Sequence, residues 1–304
     1  MSKIVVSGLV NLETNVQIEQ FPITYTAVRY PYIGVQTAVS AVGFNIAKAL
    51  TTLGNDVRLL SLIGQDEAAL TVRHALQKAN INDDYVLSAM PQTAQSVVLY
   101  DSTGRRMINT DLKDVQERSY PVEQFKTAVS HADLAILANI NFNRALLPIA
   151  QAAGVPIATD VHAIHALDDD YNQDFMAAAT ILFMSHEQLP TTPHAWAKQV
   201  QARFGTPLIV IGMGSEGALL TLPNGDQHHV PAVAPRPVVN TVGAGDALFS
   251  AFVHAYLKTA DPLIALQQAT LFAGYKIGES GGAVGFLTAS ELKTHFQRWQ
   301  PKEE

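Results

Sequence analysis

Short apolar, β-branched runs alternate along this chain with longer segments whose apolar positions recur at helical spacing. Lys3–Val10, Val57–Ile63, Asp133–Ala138, Val155–Thr159, Thr180–Met184 and Pro207–Ile211 are predicted as strands from their Ile, Val and Leu content. Between them, Ala41–Leu53 puts Ala41, Ile46, Ala49, Leu50 and Leu53 on one helical face and stops at Gly54-Asn55. Glu67–Ala79 is predicted as a second helix. Strands alternating with helical segments in this way predict a mainly parallel sheet covered by helices on both faces.

Two stretches break that rhythm. Residues 11–35 are rich in β-branched and aromatic side chains and carry no helix signal. Residues 93–110 read as two strands joined by Asp101-Ser102-Thr103-Gly104, which is hairpin chemistry. Together they predict a small β-lid (residues 11–35 plus 93–110) on an α/β core (1–10, 36–92 and 111–304).

Composition narrows the functional classes. A chain of 304 residues, 48% hydrophobic and 15% charged, is long enough and apolar enough for a large buried core. A formal net charge of -7 argues against a general grip on nucleic acid. The absence of cysteine excludes disulfides, thiolate nucleophiles and cysteine-based metal sites. No apolar run is long enough to cross a bilayer, and Met1-Ser2-Lys3 leads straight into a strand without a signal-peptide pattern. A cytoplasmic protein is the expectation.

One segment carries the chemistry. Asn240-Thr241-Val242-Gly243-Ala244-Gly245-Asp246 turns from an extended stretch into a helix whose face is formed by Ala247, Leu248, Ala251, Phe252 and Ala255. Small residues at 243–245 let a ligand approach the backbone and leave amide N–H groups free at a helix N-terminus, which suits phosphate. A carboxylate at Asp246 can then accept the proton of an attacking hydroxyl. Asp is also a common first-turn helix residue. A cap, however, does not need three successive small residues, and no Gly-Lys-Ser/Thr follows to make a P-loop.

The segment resembles the C-terminal signature of the ribokinase-like (PfkB) carbohydrate kinases, Asp-Thr-x-Gly-Ala-Gly-Asp. The N-terminal signature of that family is similar to Gly43-Phe44-Asn45-Ile46-Ala47, with Leu53-Gly54 and Gly64-Gln65-Asp66 after it. The resemblance implies a three-layer α/β/α ribokinase-like core with a β-lid. It also implies ATP with Mg²⁺ as cofactors and phosphorylation of an alcohol group on a sugar or sugar-like molecule. Asp246 takes the place of the catalytic base and Gly243, Ala244 and Gly245 that of the anion hole. Glu13, Asn45, Gly34, Ser40 and Ala41 fall on the acceptor side; Thr241, Gly243, Gly245, Gly214, Gly217 and Ser185 fall on the nucleotide side.

Four departures from the family pattern bear on the acceptor and on metal use. Ser40-Ala41 stands where the family has paired glycines, Glu13 where it usually has Asp, and Asn240 where it has the first Asp of the signature. Asn240 leaves a monovalent-cation loop in question. The Asn-x-x-Glu motif tied to magnesium appears as Ser185-His186-Glu187-Gln188, with Glu187 as the candidate acid.

Gly212-Met213-Gly214-Ser215-Glu216-Gly217 spells a dinucleotide fingerprint, but a strand and a turn, not a helix, are predicted to follow it. The histidines at 162, 165, 228 and 229 lack the carboxylate spacing of a metal site. Arg105 and Arg106, just past the hairpin turn, either protect an exposed edge or clamp an anionic substrate. A nucleoside or sugar-phosphate kinase is one alternative. A non-catalytic ligand-binding protein on the same scaffold is another, and a homodimer through the lid is the expected partner.

Overall fold

A computed structural model describes residues 1–103 and 105–299 of the chain. Thirteen strands occur among the described residues. They are β1 (Lys3–Ser7), β2 (Asn11–Gln17), β3 (Val35–Ser40), β4 (Asp56–Ile63), β5 (Val86–Ser88), β6 (Gln95–Tyr100) and β7 (Arg106–Asp111). The series continues with β8 (Leu134–Leu137), β9 (Ile157–Asp160), β10 (Ile181–Ser185), β11 (Leu208–Gly212), β12 (Ala218–Thr221) and β13 (Gln227–Val230).

Nine of them form one sheet in the order β13-β12-β11-β10-β9-β8-β1-β4-β5. Every pairing from β11 to β5 is parallel; the β11–β12 and β12–β13 pairings are antiparallel, so β12 alone is reversed in this sheet. Alternate residues of one strand enter different cores, which is why the strands read as unbroken apolar runs. Ile4 and Val6 pack in the core with the helices Val42–Thr52, Glu67–Lys78, Ala244–Thr259 and Pro262–Lys276. Val5 packs in the other core, with the helices Val122–Val129, Leu147–Ala152 and Pro193–Phe204. Leu134 and Ile136 against Ala135 and Leu137 in β8 repeat the division. The result is three layers.

The first strand ends at Ser7 rather than Val10. Gly8 lies against the backbone of Gly43, where an added Cβ would stand 3.0 Å from the Gly43 Cα, so the chain bends away there into a second sheet. That sheet has the order β3-β2-β6-β7. Its hairpin is tied by Asp101, whose Oδ1 accepts from the Thr103 N–H at 2.9 Å and the Arg105 N–H at 3.2 Å. Gly104, expected at this turn, lies outside the described residues.

Register divides the second sheet into two faces. Asn11, Glu13, Ser40, Ser96 and Arg106 share one face; Val16, Val35, Val97, Leu99 and Met107 share the other. The polar members at the base of the first face are buried: Asn11, Glu13, Ser40 and Ser96 are each less than 10% exposed. Buried polar side chains in a row at period two line a cleft rather than a core.

Candidate active site

In an open parallel sheet, ligands sit beyond the carboxyl ends of the strands, near the point where strand order reverses. Here the order reverses at β1, between β8 and β4. Asp160, at the end of β9, and Gly212, at the end of β11, mark that rim.

The helix Ala244–Thr259 starts at the rim. Gly243 is its N-cap, with φ 76° and ψ 9°, a left-handed conformation suited to glycine. A side chain at Gly243 would also collide with the backbone of Gly282. No side chain caps this helix. The Val242 N–H donates to the Asn240 carboxamide at 2.7 Å and the Ala244 N–H to the Thr241 carbonyl at 3.2 Å. The N–H groups of Gly243, Gly245 and Asp246 have no partner among the described residues. Space above Gly245 is open, with no atom within 4 Å of a Cβ built there. Three unpaired amides at one helix N-terminus form an anion cradle. Of the three amides expected there, that of Ala244 is engaged within its own turn.

Asp246, in the first helical turn, is half-buried. Its Oδ2 accepts from Asn45 Nδ2 at 2.7 Å. Burial pushes its carboxyl up to about 6; the Asn45 hydrogen bond and the charges of His162 and Lys276 oppose that rise, and Asp160 adds to it. A carboxylate with such a pKa is ionised at neutral pH yet basic enough to take a proton.

Asn45 belongs to the helix Val42–Thr52 and is buried, with Ser40 Oγ 3.4 Å from its Oδ1. Between them Ala41 adopts φ 76° and ψ 163°, a region populated almost only by glycine. A Cβ on Gly282 would stand 2.8 Å from Ser40 Oγ and 2.9 Å from Asn45 Nδ2, so the loop after residue 276 closes over this pair. Glu13 approaches from β2, where its Oε1 accepts from Asn15 Nδ2 at 3.1 Å. The Oδ1 atoms of Asn11 and Asn15 are buried without a partner. Acceptor oxygens of this kind fit a ligand rich in hydroxyl groups. From β7, Arg106 reaches across to donate to the Thr241 hydroxyl at 2.8 Å.

The structure thus brings Asp246, Gly243, Gly245, Thr241, Asn45, Ser40, Ala41 and Glu13 into one region. Ser185 and Gly214 lie along the same rim: the His186 N–H donates to the Gly212 carbonyl at 2.9 Å, and a Cβ at Gly214 would be 3.8 Å from the His186 ring. Gly212 in turn abuts Leu248 of the helix that carries Asp246. Ser185 Oγ accepts from the Glu187 N–H, and Glu187 itself is exposed. No group of three or more His, Asp or Glu side chains suited to a metal occurs among the described residues.

Gly217 closes the same turn as Gly214: its N–H donates to the Gly214 carbonyl at 3.2 Å and its carbonyl accepts from the Met213 N–H at 2.7 Å. Gly217 is also pressed against the Val230 carbonyl, where the end of β13 lies close beside the start of β12. Gly34 precedes β3 at the end away from Ser40, and its carbonyl accepts from the Gln17 N–H at 2.7 Å. Gly212–Gly217 is followed by a strand, as its sequence predicts, so the dinucleotide fingerprint is a decoy.

Sequence reading did not single out Asn11, Asn15, Asp160 or Lys276. The first two carried a signal, since Asn11-Leu12-Glu13-Thr14-Asn15 alternates polar positions at strand period. Asp160 and Lys276 had none beyond their types.

The model for the pfkB family carbohydrate kinases matches residues 42–289. Fructosamine kinase FrlD of Bacillus subtilis (strain 168) is 24% identical over 239 residues, 78% of this chain and 83% of that protein. An ATP-dependent ribose-1-phosphate kinase of Halopiger xanaduensis is 28% identical over 241 residues, covering 78% and 79% of the two chains. Among solved structures, the microbiome-derived acarbose kinase Mak1 superposes with a TM-score of 0.86 at 25% identity, covering 96% of this chain and 98% of that one. No helix of the described residues is long and apolar enough to cross a membrane. The chain belongs to the pfkB family of carbohydrate kinases and is a phosphotransferase acting on an alcohol group.

Proposed function

We propose that this kinase transfers the γ-phosphoryl group of ATP to a hydroxyl of a sugar or sugar-like acceptor, with Asp246 as the base. One observation carries the reading: Asp246 shares a single helix turn with three unpaired amides, and its carboxylate is held by Asn45. The acceptor hydroxyl gives its proton to Asp246 as its oxygen bonds to phosphorus. The bond from phosphorus to the bridging oxygen breaks, and the electron pair leaves with ADP. The amides of Gly243, Gly245 and Asp246 neutralise charge on the transferring group. Glu13, Asn11, Asn15, Ser40 and Asn45 orient the acceptor. Family kinases use ATP with Mg²⁺. Magnesium keeps much of its water and binds through substrate phosphates with one or two carboxylates, so a dedicated three-ligand cage is not required. Glu187 is the candidate carboxylate on the nucleotide side that would hold Mg²⁺, which would supply neutralisation of phosphate charge there.

The second sheet acts as a lid that excludes water, and its outer face pairs with that of a second copy. An acceptor bulkier than a free sugar, such as a sugar phosphate or nucleoside, is the second reading. It is favoured by Arg106 at the rim of the anion cradle and by the ribose-1-phosphate specificity named for one relative.

An acceptor screen over free sugars, sugar phosphates, glycated amines and nucleosides, read through ADP release, tests the function. Asp246→Asn is expected to lower turnover on the best acceptor by about 10²–10⁴ while leaving ATP binding nearly unchanged. Turnover within a few-fold of the wild type would remove Asp246 from the role. ATP binding with no turnover on any acceptor would favour a silent binding protein.

A further inference from the structure

Lys276 ends the helix Pro262–Lys276 and is completely buried, at 0% exposure, yet its Nζ has no hydrogen-bond partner. A buried ammonium without partners is costly, and a methionine of similar length would fill the space without that cost. The charge itself therefore calls for a use.

The surroundings say what it acts on. The flanking chain is built into the site: the Val239 and Asn240 N–H groups donate to the Ile277 carbonyl at 2.8 and 3.1 Å, just ahead of the signature turn. Gly282, six residues on, closes over Ser40 and Asn45. Four charged groups act on the ammonium: Asp246 from its helix, Arg106 from β7, Glu13 from β2 and Arg236 from the segment before the signature. Both guanidiniums are engaged elsewhere, Arg106 with Thr241 and Arg236 with the Tyr275 carbonyl and Glu279. Glu13 holds Asn15. Asp246 has one hydrogen bond, from Asn45, and also feels Asp160 and His162 from the end of β9.

We propose that Lys276 is a positioning residue for phosphoryl transfer: its sealed ammonium is the fixed counter-charge that keeps Asp246 ionised and ready to receive the acceptor proton. This rests on the assignment of Asp246 as base. Burial alone drives both groups toward their neutral forms, Asp246 up and Lys276 down to about 8, and each opposes that drift in the other. The ammonium therefore extends the pH range in which the base works toward acid.

The test is the pH profile of kcat/KM. In Lys276→Met the acid limb is expected to move to higher pH by a fraction of a unit, because the ammonium acts on the carboxyl through space alongside His162 and the Asn45 hydrogen bond. The KM for ATP is expected to stay within a few-fold. A folded, active Lys276→Met with the wild-type acid limb overturns the proposal. If that variant does not fold, the Lys276 Nζ is titrated by NMR in isotope-labelled protein, comparing wild type with Asp246→Asn. Coupling is reciprocal, so loss of the carboxylate should lower the pH at which Lys276 gives up its proton; an unmoved titration overturns the proposal. An Asp246→Asn variant with normal turnover refutes the underlying assignment instead, and the two failures are told apart by that measurement.

Discussion

Asp246 is placed at a cost to stability. Its carboxyl is pushed up from an unfolded value near 3.8 to about 6, so the folded state holds that proton more tightly than the unfolded chain. The stability this contributes is full below the unfolded pKa and is lost as pH rises through about 6. At pH 7.5 the ionised group therefore weighs against folding, and Asp246→Asn is expected to raise Tm by a few degrees, with the gap closing toward pH 4. Thermal unfolding of both proteins across that range decides it; a variant less stable at pH 7.5 would mean that the Asn45 hydrogen bond outweighs burial. Ala41 is a second strained residue. Its φ of 76° with ψ of 163° costs about 1–3 kcal/mol in a non-glycine residue. Ala41→Gly is expected to gain stability, by less than that because glycine loses more entropy on folding, and denaturant unfolding measures it. The sequence showed that Ser40-Ala41 departs from a glycine pair; only the backbone shows that the left-handed conformation was kept without the glycine.

At the scale of elements, legibility followed burial. Strands β1, β8, β10 and β11 could be read because both faces of each are buried, leaving apolar runs too short for helices. β1 was read three residues too long because Leu9 and Val10 continue its apolar run past the bend at Gly8. The signature helix was legible in full, since glycines, carboxylate and apolar face fall in one stretch of sequence. Lys276 was not. Its helix is apolar nearly all round, and a lysine in a last turn reads as a partner for the helix dipole; only the fold shows that this end is sealed. Arg106 illustrates the same limit, because β7 is exposed along its whole length and its one link to the site, the Thr241 hydroxyl, is 135 residues away. That link ties the second sheet to the anion cradle. Arg106→Ala is expected to raise the acceptor KM about tenfold, equivalent to about 1.4 kcal/mol. Tm should move little, since the contact is exposed. Steady-state kinetics with unchanged acceptor KM would show that the contact does not hold the sheet closed.

For the whole molecule, the open question is what covers the outer face of the second sheet. Val35, Val97 and Met107 are 55%, 41% and 47% exposed, and pairing register sets them beside Val16 and Leu99 on that one face. Tyr25, Tyr30 and Tyr32, each about 90% exposed, lie in the segment between β2 and β3. The opposite face carries the buried Asn11, Glu13, Ser40 and Ser96 and is the one turned to the cleft. The helix Glu67–Lys78 packs against the β2–β3 side of this sheet. These exposed apolar residues, set among Thr14, Thr37, Gln95, Asn109 and Asp111 on the same face, are the part of the sheet proposed to meet a second copy isologously. The sheet would then be braced from outside, which couples assembly to how well the cleft closes. Met107→Glu tests both parts. It introduces a charge on an exposed strand position, so the α/β core should keep its Tm within a degree or two. Light scattering should show wild-type dimer and variant monomer at micromolar concentration, with a raised acceptor KM in the monomer. A wild-type protein that is monomeric at such concentrations would end the proposal. A monomeric variant with wild-type KM would keep the interface but remove its role in catalysis.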